Sequence, residues 1–249
     1  MLLFLPGRIC DARVFARQLA AFPDSRAVDG YGCADSLEAM ARVALEQAPE
    51  SFDLFGHSMG GRVALEVFRL APQRVRRIAL CSTGVHGLGT DEPAKRAGLK
   101  AIGHEQGFEA LVDAWLPPMV GEHNRADESR YGPIRQMCLD QDQALFDRQI
   151  GALLARPEQE SLLSRIACPA LVMTGALDGW SPPAQHAAIA AVLPNSTLVT
   201  VEGAGHMLPL EAPEAVNEAI RDWLAQDATG PAQDLTSYPS TRLRRGYAQ

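Results

Sequence analysis

The feature that most limits what this chain can fold into is residues 52–70, where Gly56-His57-Ser58-Met59-Gly60 separates a short apolar run from an amphipathic helical pattern. Residues 52–55 read as a strand, and Val63, Leu65, Val67, Phe68 and Leu70 give the following helix an apolar face. A strand that turns into a helix at a single residue forces that residue into strained backbone geometry. Side chains two positions before and two positions after it would collide with the neighbouring strand and helix, which is why both are glycine. The hydroxyl between them is held clear of the sheet, beside a helix N-terminus whose free N–H groups and dipole favour developing negative charge. Ser58 is therefore the candidate nucleophile.

Two downstream segments supply candidate partners. Residues 169–175 form an apolar run of buried-strand type, with Asp178 three positions beyond its end. Residues 199–206 repeat the pattern, a strand running into a glycine-bracketed loop that carries His206. The chain order Ser58, Asp178, His206 is the one expected of a hydrolase triad on an α/β sheet.

On these residues the chain resembles the α/β-hydrolase superfamily, of the cofactor-independent serine hydrolase type with a helical lid. The matching segments are residues 3–7 (Leu-Phe-Leu-Pro-Gly), 56–61, 168–178 and 203–213. Together they are specific for the superfamily and not for a substrate. The resemblance starts at what corresponds to the third strand of the superfamily's sheet, so it implies an α/β fold with a mostly parallel, doubly wound sheet of about six strands and no cofactor. It also implies two oxyanion donors: the backbone N–H of Met59, directly after the nucleophile, and that of the residue after a His-Gly pair in the first loop. Here the pair is Pro6-Gly7, so the second donor would be the Arg8 N–H, in a loop lacking the histidine that often braces it.

Composition sets the outer bounds. With 249 residues, 47% hydrophobic and 21% charged, the chain can build one large soluble domain. A net charge of −7 argues against nucleic acid as a partner. Residues 1–6 are too few for a signal-peptide core, and no apolar run approaches about 18 residues, so a cytoplasmic protein without a membrane partner is expected, as a monomer or homodimer. Cys10, Cys33, Cys81, Cys138 and Cys168 are widely spaced without a Cys-x-x-Cys pair and read as buried small apolar residues.

Strand and helix patterns alternate over residues 1–85 and again over 167–228, which together make the expected core. Residues 86–166 carry helical periodicity and no strand pattern, and read as a helical lid inserted in that core. Gly84, Gly87 and Gly89 lack the spacing of a dinucleotide fingerprint and read as a flexible lid hinge. His104-Glu105 and Glu122-His123 lack a third group at metal-ligand spacing, so no metal is expected. Residues 229–249, rich in Pro, Ser, Thr and Gly, read as a flexible tail.

The expected reaction is hydrolysis of a small to medium carboxylic ester or thioester through an acyl-enzyme, with Ser58, His206 and Asp178 as triad. The alternative is hydrolysis of a carbon–carbon bond, or a related lyase reaction, on a dicarbonyl acid, since Gly60-Gly61-Arg62 is similar to the elbow of some such enzymes. Arg62 could hold a substrate carboxylate there, although its place on the helix reads rather as a surface cation. Trp115, Met119, Trp180, Met207 and Leu208 are the candidate pocket residues, which would make the pocket predominantly apolar with few fixed charges.

Overall fold

The computed structural model describes residues 1–227, so the expected tail, 229–249, lies outside the described residues. The first two thirds of the core run β1 (Leu2–Leu5), α1 (Ala16–Ala21), β2 (Ser25–Ala27), α2 (Leu37–Gln47), β3 (Phe52–His57), α3 (Met59–Leu70) and β4 (Val75–Cys81). There follow α4 (Glu92–Gln106), α5 (Phe108–Trp115), α6 (Glu122–Ala126), α7 (Glu128–Leu139), α8 (Gln143–Leu154) and α9 (Glu160–Leu163), with no strand among them. The core resumes with β5 (Ala170–Gly175), α10 (Pro183–Val192), β6 (Ser196–Val201), α11 (Leu208–Glu211) and α12 (Pro213–Leu224).

The six strands form one sheet in the order β2-β1-β3-β4-β5-β6, and every neighbouring pair is parallel. Parallel strands need covered crossovers, so both faces must be buried. The side chains obey the two-residue period. Leu2 and Phe4 enter one apolar layer and Leu3 and Leu5 the other. On the first face, Phe4 stacks on Phe15 with ring centroids 4.8 Å apart, Phe55 lies 5.4 Å from Phe4, and α12 closes the layer with Val216, Ile220 and Trp223. On the second, Leu37 and Met40 of α2, Val63 of α3 and Ile189 of α10 cover Leu54 and Ile78. Burying a side chain of this size contributes roughly 1.5–3 kcal/mol, so the two layers hold the sheet rigid.

Local signals set the element ends. Ser36 caps α2, its Oγ accepting from the Ala39 N–H, and Asp142 caps α8 by accepting from the Leu145 N–H. The segment expected as a flexible hinge is pinned instead: Arg62 and Arg156 both donate to the His86 carbonyl, and Arg156 also donates to that of Gly87. The cysteines divide. Cys10, Cys81 and Cys138 are buried as expected, but Cys33 is exposed, where residues 32–35 turn across the surface before α2, and Cys168, just before β5, is half-buried. Among the described residues no helix is long and apolar enough to cross a membrane, and no cluster of side chains is arranged to hold a metal ion.

Candidate active site

All the chemistry-bearing residues gather at the carboxyl ends of the parallel strands, where open α/β sheets leave a crevice. Ser58 joins β3 to α3 with φ 56° and ψ −118°, a conformation that costs a non-glycine residue of order 1–3 kcal/mol. Only glycine fits on either side: a Cβ on Gly56 would meet the Gly60 carbonyl, and one on Gly60 would meet that of Leu5. Among the described residues two further non-glycine positions have positive φ, Ile9 at 45° after β1 and Ser82 at 47° after β4. The three strained positions follow three adjacent strands, and two of them, Ser58 and Ser82, line one cavity of about 540 Å³.

Ser58, Asp178 and His206 meet here. His206 Nε2 lies 2.8 Å from Ser58 Oγ, and His206 Nδ1 lies 3.0 and 2.9 Å from the two Asp178 carboxylate oxygens. With Nδ1 donating to the carboxylate, the Nε2 lone pair faces the serine hydroxyl. Asp178 Oδ1 also accepts from the backbone N–H groups of Trp180 and Ser181, at 2.9 and 2.8 Å. Burial pushes the Asp178 carboxyl up, but His206 and those N–H donors outweigh it and hold its pKa below the ordinary value.

The loop carrying His206 is braced from beneath. Glu211, in the short helix α11, accepts through Oε2 from the N–H groups of Gly121 and Gly205 and from the Asn124 side chain, and through Oε1 from the Met207 N–H. It thus fixes the residues on both sides of the imidazole. His57 adds a second brace, its Nε2 donating to the His206 carbonyl at 2.8 Å. Burial above all, with the charge of His206 next, drops the His57 pKa to about 3, so this ring is neutral. His186, also buried, accepts from the Thr83 N–H and donates to the Pro182 carbonyl, and burial lowers its pKa as well.

The loop after β1 has its own supports in place of the absent histidine. Tyr31 Oη donates to the Pro6 carbonyl at 3.1 Å, and the Ile9 N–H donates to Gln149 Oε1 of α8 at 2.8 Å. Met59 opens α3, where the first N–H groups have no intrahelical acceptor. Neither Met59 N–H nor Arg8 N–H is committed to a hydrogen bond among the described residues.

The candidate pocket residues separate. Met119 and Trp180 line the cavity, whereas Trp115 lies beyond the Arg8 guanidinium, whose Cζ is 4.9 Å from its ring centroid. Met207 and Leu208 are buried in the core, 1% and 0% exposed, because α11 begins there and turns them under the sheet end. The cavity's lining is predominantly apolar by area, as expected, but the expectation of few fixed charges is overturned. Arg8, Arg62, Lys95 and Arg96 all line the cavity, against Asp91 and Glu92. Arg62 is no surface cation: it is 7% exposed, donates to His86 and Gln159, and has its pKa lowered to about 9, first by burial and then by Arg156. The charges escape the sequence because these cations come from the loop after β1, from α3 and from α4, segments whose proximity no local pattern encodes.

Residues 2–219 match the family model described as the alpha/beta hydrolase family. The chain is 28% identical over 213 residues to pimeloyl-[acyl-carrier protein] methyl ester esterase of Pectobacterium atrosepticum, covering 83% of this chain and 82% of the relative. It is 25% identical over 182 residues to a 2-hydroxy-6-oxononadienedioate/2-hydroxy-6-oxononatrienedioate hydrolase of Cupriavidus pinatubonensis, covering 70% and 62%. Among solved structures, a malate-bound thermophilic esterase from Thermogutta terrifontis superposes with a TM-score of 0.80 at 27% identity, covering 90% of this chain and 88% of that one.

Proposed function

The chain belongs to the alpha/beta hydrolase family, and from that premise we propose that it is a serine hydrolase acting on carboxylic esters or thioesters through an acyl-enzyme. The observation that carries this reading is the unbroken hydrogen-bond chain from Asp178 through His206 to Ser58 Oγ. His206 Nε2 takes the Ser58 proton as Oγ attacks the ester carbonyl carbon. The carbonyl oxygen becomes a tetrahedral oxyanion and accepts hydrogen bonds from the Met59 and Arg8 N–H groups. As the intermediate collapses, the imidazolium returns its proton to the departing alcohol or thiol, leaving an acyl-serine. Water then attacks with His206 as base, which releases the carboxylic acid and restores the Ser58 hydroxyl. Asp178 keeps the imidazole in the competent tautomer and stabilises its cation throughout. Residues 86–166 act as the lid over this centre, with α4 supplying one wall of the cavity.

Similarity to esterases of comparable length supports an ester over other acyl substrates. One observation favours a second reading, carbon–carbon bond hydrolysis of a dicarbonyl acid: Arg62 of the Gly60-Gly61-Arg62 elbow lies on the cavity, in a wall rich in cations. The two readings separate on a panel of p-nitrophenyl esters, acyl-CoA thioesters and a vinylogous diketone acid. A kcat/KM at least tenfold higher for an ester or thioester than for the diketone acid is expected. Faster cleavage of the diketone acid would replace the first reading by the second.

A further inference from the structure

Arg8 is 6% exposed, yet its guanidinium makes no hydrogen bond or ion pair among the described residues, and its Nε is buried without a partner. What surrounds it is aromatic. Its Cζ lies 4.9 Å from the ring centroid of Trp115, 5.2 Å from that of Phe146 and 5.8 Å from that of Trp180. Ring faces attract a guanidinium but offer its N–H groups no acceptor. Arg96, which borders the same cavity, gives its Nε and Nη2 to Glu92 and leaves Nη1 buried without a partner. Glu92 has no capacity to spare for Arg8, because Arg156 also binds both its oxygens.

A buried cation without a counter-ion is expensive, and no fold keeps one for stability. Burial, and then the charge of Arg96, lowers the Arg8 pKa to about 9, which still leaves it charged at neutral pH. The cost is offset once an anion enters the cavity. A carboxylate suits the site best, since its two oxygens match the planar fork of a guanidinium. Ser58 and His206 line the same cavity, so such an anion belongs to the molecule being cleaved.

We propose that Arg8, with Arg96 beside it, forms a carboxylate-binding subsite, and that the substrate is a monoester of a dicarboxylic acid whose free carboxylate docks there. The substrate class rests on the ester-hydrolase reading; the subsite itself does not. Trp115 and Phe146 hold the guanidinium plane in place, and the scissile carbonyl reaches Ser58 only for acyl chains of matching length.

The test compares kcat/KM for the monoethyl esters of succinic, glutaric and adipic acids with neutral ethyl esters in which methyl replaces the carboxylate. At least one charged ester should exceed its neutral counterpart by roughly 10- to 100-fold in the parent. Arg8→Met should abolish that preference, and Arg8→Lys should keep part of it. The ratio is read within each protein, so loss of folded enzyme cancels. A parent that prefers the neutral ester at every length, or a preference that survives in Arg8→Met, overturns the subsite. A second arm titrates Ser58→Ala with glutarate by calorimetry. Binding that vanishes on adding Arg8→Met supports the subsite even if no ester is turned over, in which case only the ester reading falls. Turnover of neutral esters with no glutarate binding leaves the ester reading standing and removes the subsite.

Discussion

On one side of the cavity, Ser58, His206 and Asp178 form a closed chain of hydrogen bonds, and Glu211 and His57 pin the loop beneath them. On the other, Arg8 and Arg96 keep guanidinium nitrogens buried without partners. The Asp178–His206–Ser58 chain is complete in the free protein, and the guanidinium pair is not. Polar groups that satisfy one another set geometry before anything binds, whereas buried groups left open cost stability until a ligand satisfies them. Each wall should therefore answer mutation in its own way.

Ser58→Ala should have the largest effect, a loss of roughly 10³-fold or more in turnover with the melting temperature nearly unchanged, since it removes one oxygen from a site built for chemistry. Residual activity within tenfold of the parent would place the nucleophile elsewhere. Glu211→Ala comes next. It strands the Gly121, Gly205 and Met207 N–H groups, so chemical denaturation should show a loss of about 3 kcal/mol or more, accompanied by reduced turnover. An unchanged midpoint would mean that water can replace the carboxyl and that the loop is not braced as described.

The basic wall should respond with the opposite sign. Arg8→Met removes an unpaired buried cation and leaves the stem among the same rings, so stability should rise by about 1–2 kcal/mol. A fall of similar size would mean that the aromatic contacts alone support the charge. The most gradual effect is a pH dependence on the catalytic side. His57 has a folded-state pKa of about 3 against an ordinary 6.5, so as the pH falls the unfolded chain takes up its proton first. The stability it contributes is complete above about pH 6.5 and is lost on the way down to about 3, at no more than roughly 1.4 kcal/mol per pH unit. His57→Gln should flatten that slope between pH 6.5 and 5, measured by denaturant unfolding; an unchanged slope would assign it to other groups, His186 among them.

The same division marks what could be read from the sequence. The strands and the elbow carry their signals locally, in the alternation of apolar runs and in Gly56 and Gly60, and the six-stranded sheet follows from them. Asp178 and His206 stand at strand ends with similar local signatures, and the fold brings both to Ser58. The basic wall has no such signature. The sequence points to Arg8 for its N–H alone, and nothing nearby in the chain shows that Trp115, Phe146 and Trp180 surround its side chain. Met207 and Leu208 follow His206 directly in the chain, but adjacency does not determine side-chain direction once α11 begins. Glu211 lies within the matched segment 203–213, but its role becomes visible only when the N–H groups of residues 121, 205 and 207 converge on it.

The most direct measurement is labelling of the full chain with a fluorophosphonate probe, followed by mass mapping of the modified peptide. Only an activated hydroxyl attacks such a phosphorus centre readily. A serine held 2.8 Å from His206 Nε2 should give one adduct, on Ser58, absent in Ser58→Ala and formed far more slowly in His206→Ala. Modification of Cys10 or another residue in place of Ser58, or no modification at all, would contradict the account.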